Sequence, residues 1–94
     1  MSGEYFCPIC ELEYEKGNYA PRRRSKHHVF PKVWYKDSFN IKVYVCQKCH
    51  DEFNSMFMEP LDLKNRWSKK ECVRNWILFC FIKQRNPYEI YPEL

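Results

Sequence analysis

Four cysteines and three histidines hold most of the chemistry this chain can offer. The cysteines form two pairs, Cys7-x-x-Cys10 and Cys46-x-x-Cys49, separated by 35 residues. An x-x spacer lets one tight turn present two sulfurs to one ion, and zinc favours four thiolates in a tetrahedron. Two such pairs therefore read as the ligands of a single zinc ion. A thioredoxin-like redox pair would need a βαβ pattern around it, and neither pair has one. Packing as a small apolar side chain is the other use of a thiol, and it is the better reading of Cys72 and Cys80. Four thiolates close the coordination shell of zinc and leave no position for substrate. Such an ion is structural, and chemistry requires a second site.

The histidines offer that site. His27 and His28 are adjacent, in Arg-Ser-Lys-His-His-Val-Phe-Pro-Lys, and His50 directly follows Cys49. The His pair sits inside the excursion between Cys10 and Cys46. Zinc closure returns that excursion to His50, so three imidazoles gather. Imidazole binds metals and titrates near neutrality, which suits both ligation and proton transfer. The alternatives are that His27 and His28 belong to a basic contact stretch, and that His50 merely starts a helix.

Charge is segregated along the chain. The net charge is +4, but residues 1–15 carry four glutamates and no base. Arg22, Arg23, Arg24, Lys26, Lys32 and Lys36 then follow without an acid between 21 and 36. A further basic run comprises Lys64, Arg66, Lys69, Lys70 and Arg74, against Glu71 alone. Such a surface suits a polyanion, and nucleic acid is the expected partner. Aromatic content of 18% with two glycines excludes a disordered chain. The Trp76–Ile82 stretch is too short to cross a bilayer, so no membrane association is expected. The N-terminus lacks an apolar signal region, and clustered rather than scattered cysteines suit a reducing compartment. The expected location is the cytoplasm.

These residues must be positioned by a small set of elements. One domain over 1–94 is expected, with a core at about 5–58. Residues 5–10 form a knuckle, and polar residues 11–25 a loop or short hairpin. A strand spans 26–30 and stops at Pro31. Residues 41–45 alternate as a second strand. A helix begins near Cys49 and ends before Pro60, with Phe53, Met56 and Phe57 inward. Ser68 and Glu71 make a capping box for another helix, at about 68–85. Val73, Trp76, Ile77 and Cys80 mark its inner face, and Asn86-Pro87 its end. Trp67, Phe79 and Phe81 are expected in the core. That helix is apolar on more than one side, which would allow a homodimer contact. The fold class is α+β.

The motifs now combine. His27-His28-Val-Phe-Pro, Asn40 and Val45-Cys46-Gln-Lys-Cys49-His50 together resemble an HNH endonuclease carrying a four-cysteine zinc site. The resemblance covers about residues 5–58. It implies the ββα-metal fold, in which a hairpin, a loop and a helix surround one catalytic metal. It implies that His28 is the general base, activating water for attack on phosphorus, and that Asn40 positions it. It implies that His27 and His50 ligate a divalent metal, Mg²⁺, Mn²⁺, Ni²⁺ or Zn²⁺, which stabilises the leaving 3′ oxygen. Asn54, four residues after His50, matches a further ligand position. Arg22, Arg23, Arg24, Lys26 and Lys32 would contact the phosphates of double-stranded DNA. Asn40 stands one residue farther from His50 than is usual in the family, so Asp37 is the other residue that could fill the middle position. Neighbours on a regular strand face opposite ways. His27 and His28 can flank one phosphate only where the strand twists or ends. The alternative function is a zinc-dependent nucleic-acid-binding module without catalysis.

Overall fold

The computed structural model describes residues 5–31, 35, 40–58, 63–92 and 94. Lys32, Trp34 and Asp37 lie outside them. Among the described residues the architecture is small α+β: one two-stranded antiparallel sheet and three helices.

The chain opens with a knuckle built by its own backbone. Tyr14 N–H donates to Tyr5 O, Cys7 N–H to Leu12 O and Glu11 N–H to Cys7 O, all within 2.9 Å. Glu11 turns the chain at φ 61°, a left-handed conformation for which its sequence gives no signal. The paired turn spans Tyr5–Tyr14, so it takes in the expected knuckle and only the first residues of the stretch expected as a loop or short hairpin.

Strand β1 (Arg24–His28) pairs with β2 (Lys42–Cys46). The register sets Ser25 opposite Val45 and His27 opposite Val43. Because side chains alternate, Ser25, His27, Val43 and Val45 share the inner face, and Arg24, Lys26, His28, Lys42 and Tyr44 the outer one. Both strands lie close to the expected spans. β1 starts earlier, and it ends at His28 because the chain bends at Val29 and Phe30. Beyond the strand, Val29 N–H still reaches Ile41 O at 2.9 Å, which closes the base of the loop.

Helix α1 (Gln47–Met56) follows β2 without a loop and packs on both strands. It buries Cys49 and Phe53, whereas Met56, expected inside, is exposed. After a 3-10 turn at Leu63–Asn65 comes α2 (Lys69–Ile82). The capping box forms as read: Glu71 N–H donates to Ser68 Oγ at 3.1 Å, and Ser68 N–H to Glu71 Oε1 at 3.3 Å. The inner face of α2 is Cys72, Asn75, Trp76, Phe79 and Cys80, rotated from the expected stripe so that Val73 and Ile77 are only half-buried. Phe81, expected in the core, is exposed, and it forms an outward apolar ridge with Leu78 and Ile82.

Helix α2 stops at Ile82, before Asn86-Pro87. A Schellman turn ends it: Gln84 N–H donates to Phe81 O at 3.0 Å and Arg85 N–H to Cys80 O at 2.8 Å. Gln84 takes the left-handed position at φ 59°. Asn86-Pro87 instead begins the short helix α3 (Pro87–Ile90), with Asn86 Oδ1 accepting from Tyr88 N–H.

One core joins these elements. Ile9 of the knuckle, Val43 and Val45 of β2, Phe53 of α1, and Trp76 and Phe79 of α2 are almost fully buried. Phe53 meets Phe79 edge-on at 5.3 Å between ring centroids and Trp76 at 5.9 Å, which seats α2 against α1. Among the described residues no helix is long and apolar enough to cross a membrane.

Candidate functional site

The four cysteines come together. Their Sγ atoms all lie within 4.8 Å of one another, and among the described residues this is the one cluster of three or more His, Cys, Asp or Glu donors. Cys10 Sγ and Cys46 Sγ are 3.8 Å apart. A tetrahedron with zinc–sulfur bonds of about 2.3 Å has edges of about 3.8 Å. The donor set and spacing therefore fit one zinc ion. The elements explain the approach. Cys7 and Cys10 flank the tip of the knuckle, Cys46 closes β2, and Cys49 lies in the first turn of α1. Cys46 N–H points at Cys7 Sγ, at 3.3 Å.

The thiols are unequal. A hydrogen bond from Cys49 pulls the Cys7 thiol down to about 4, with backbone N–H groups of Cys10, Cys46 and Ile9 helping against burial. Cys49 is pushed up by the same contact and by burial, and Cys10 mainly by burial. Cys72 and Cys80 play the expected core role. Both are buried, and burial raises Cys80 to about 12.

The cluster also has an unexpected neighbour. Arg22, read as a phosphate contact, directs its Nη1 to Cys10 Sγ at 3.3 Å and to Cys46 Sγ at 3.9 Å. The three consecutive arginines have three destinations. Arg23 Nη1 donates to Ala20 O at 3.1 Å, and Arg24 lies 3.9 Å over the Tyr44 ring. Lys26 approaches the same ring, at 5.9 Å, so the outer hairpin face presents a cationic pair on an exposed aromatic.

The histidines gather at the junction of the hairpin and α1. The rings of His27 and His50 are 5.0 Å apart, edge to face. His27 is 3% exposed. It stacks on Trp76 at 5.0 Å and meets Phe53 at 4.5 Å. Its Nε2 is buried without a hydrogen-bond partner. Burial, then repulsion from His50 and His28, lowers its pKa to about 3. His50 is also lowered, by burial and against the pull of Asp51, with His28 adding to the fall. Ser25 Oγ and His50 Nδ1 share a hydrogen bond of 2.9 Å, which fixes the ring and leaves Nε2 as its other nitrogen. Sequence reading missed Ser25, yet its place two residues before His27 puts it on the same strand face.

His28 ends β1 and is half-buried. Two residues later, at Phe30, Asn40 clasps the loop: its Oδ1 accepts from Phe30 N–H at 3.1 Å, and its Nδ2 donates to Phe30 O. Asn54 is exposed on α1, one turn beyond His50. Beside the clasp, Lys69 lies 5.3 Å over Phe30, and Arg66 5.7 Å over Tyr35, whose hydroxyl donates to Trp67 O at 2.7 Å. The second basic run therefore borders the loop that follows His28.

No family model, curated protein or solved structure matches this chain.

Proposed function

We propose that this protein is a metal-dependent DNA endonuclease of the HNH type, stapled by a structural zinc at Cys7, Cys10, Cys46 and Cys49. The observation that carries the reading is the approach of His27 and His50 at the hairpin–helix junction, with rings 5.0 Å apart, where His50 and the neighbouring His28 both depress the ionisation of His27. His27 and His50 would hold the divalent ion. The partnerless Nε2 of His27 and the Ser25-anchored ring of His50 are two nitrogen donors suited to that task. Asn54 would border the metal on the solvent side. When bound, the ion supplies charge stabilisation to the scissile phosphate and the leaving 3′ oxygen.

The remaining residues have separate tasks. His28 accepts the proton of the attacking water, and the 3′ oxygen departs as the new phosphorus–oxygen bond forms. Its position at the last residue of β1, where the chain bends, lets it act beside its buried neighbour. Asn40 fixes the loop through Phe30 and so holds the backbone that orients His28. Arg23, Arg24, Lys26 and Lys32 contact DNA phosphates, which adds salt-sensitive affinity without sequence information. The whole assembly is the ββα-metal arrangement, with α2 as its supporting helix.

A specific observation favours a second reading. His27 is packed between Phe53 and Trp76 as a core aromatic would be. That packing suits a zinc-dependent nucleic-acid-binding module without catalysis.

Supercoiled plasmid incubated with Mg²⁺, Mn²⁺ or Ni²⁺ separates the two. The nuclease should nick in at least one metal, and His28→Ala should lose the activity while keeping salt-sensitive DNA binding. Equal residual cutting by wild type and His28→Ala, with binding intact, would replace the nuclease with the binding module.

A further inference from the structure

The run Arg22-Arg23-Arg24 looks uniform in sequence, but its first member faces inward to sulfur. Arg22 Nη1 bonds to Cys10 Sγ at 3.3 Å and reaches Cys46 Sγ at 3.9 Å. Its backbone is clamped independently. Arg22 N–H donates to Glu15 Oε1 at 2.9 Å, and Glu15 N–H to Arg22 O at 3.1 Å. The guanidinium is thus delivered to the cluster from a fixed main chain. It touches one sulfur from each Cys-x-x-Cys pair, the same two that stand 3.8 Å apart.

Four thiolates around a divalent ion carry excess negative charge. A cation bonded to two of the sulfurs offsets part of it and draws electron density from those sulfurs. Thiolate bound in this way is a weaker nucleophile and a less easily protonated ligand. The effect is asymmetric, since Cys7 and Cys49 have no bond to this arginine among the described contacts. Cys10 is also only half-buried, whereas Cys7 and Cys49 are buried. The sulfur most open to attack is therefore the one under the guanidinium.

We infer that Arg22 is a positioning residue of the zinc centre, which retains the metal and shields Cys10 and Cys46 from electrophiles and oxidants, and not a contact to DNA phosphate. The inference rests on the zinc reading and is independent of nuclease activity.

The test uses the zinc-loaded full chain. Metal content is measured first, and zinc release to a chelator is then followed with a colorimetric indicator. Alkylation by iodoacetamide is mapped to each cysteine by mass spectrometry. Arg22→Ala should lose about ten- to a hundredfold in zinc affinity, the range for outer-shell partners of a metal ligand. Its added alkylation should fall on Cys10 and Cys46 ahead of Cys7 and Cys49, and Arg24→Ala should match wild type. Unchanged release, or an equal gain at all four cysteines, would overturn the role of Arg22. Wild type that holds no zinc would overturn the zinc reading itself. If Arg22→Ala does not fold, Arg22→Lys carries the test. It keeps the charge but not the planar fork, so release between the two extremes is expected, and release equal to wild type would reject the assignment.

Discussion

The cysteine cluster and the histidine cluster are built by the same hairpin and helix, yet they are opposite kinds of site. The cysteines converge on a point, with four sulfurs within 4.8 Å and a spacing that matches a zinc tetrahedron. The histidines converge on a wall. His27 lies flat on Trp76, His50 is tied to Ser25, and His28 sits at the strand end on the other side of the pleat. A closed shell needs only its own ligands. The Nε2 of His27, by contrast, lies within an aromatic core without a hydrogen-bond partner. Both clusters stand on β1, β2 and α1, so disturbing the first should disturb the second.

The largest expected effect breaks the first cluster. Cys49→Ser, or removal of zinc by a strong chelator, should abolish the cooperative thermal transition. Structural zinc contributes on the order of 10 kcal/mol to small domains, more than a chain of this size has to spare. Calorimetry before and after chelation checks this. A metal-free chain that keeps its transition would show that the hydrophobic core folds alone.

A smaller effect comes from protonating the second cluster. His27 has an ordinary pKa of 6.5 when unfolded and about 3 when buried. Between those values the unfolded chain binds a proton that the folded one refuses, so stability is complete above the upper value and falls as pH falls toward the lower. At about pH 5 the loss should be about 2 kcal/mol. Denaturant unfolding of the zinc-loaded chain at about pH 7 and pH 5 measures it. His27→Phe, which keeps an aromatic in the stack, should lose less over the same range. An identical pH dependence in the variant would assign the acid sensitivity to zinc release.

The smallest effect sharpens the boundary between the clusters. Asn40→Ala removes both bonds to Phe30 and should cost about 1–3 kcal/mol. If Asn40 orients His28, cutting should fall further than the stability loss explains, with zinc content unchanged. A matched loss of the two would make Asn40 a purely structural clasp.

Local rules made much of this legible. The Cys-x-x-Cys spacing, the Ser68–Glu71 capping box and the alternation of β2 each depend on residues a few positions apart, and each is present. The end of α2 was hidden because a Schellman turn usually places Gly or Asn in the left-handed position, and here Gln84 occupies it. Asn86-Pro87 carried a true signal with two meanings, since Pro suits both the stop of one helix and the first turn of the next. The histidine site was legible as a gathering but not as an arrangement. Which imidazole faces inward depends on a register between strands that no local pattern encodes. The destination of Arg22 is the clearest case, because a guanidinium in a basic run carries no mark that distinguishes sulfur from phosphate.

Arg85 extends this dependence to the far end of the chain. Its Nε donates to Ile9 O at 2.9 Å, and its Nη2 pairs with Glu11 Oε1 at 2.7 Å. The Ile9 contact joins residues 76 apart in sequence. A zinc ion joining Cys10 to Cys49 would make the shortest path between the two residues roughly half as long, and halving a loop lowers the entropic cost of closing it by about 0.6 kcal/mol. A zinc ion at this cluster would therefore act on the order of assembly as well as on the final state. Metal capture would shorten the search by which the turn after α2 finds the knuckle, and Arg85, once docked, would hold the knuckle backbone beside the ligands.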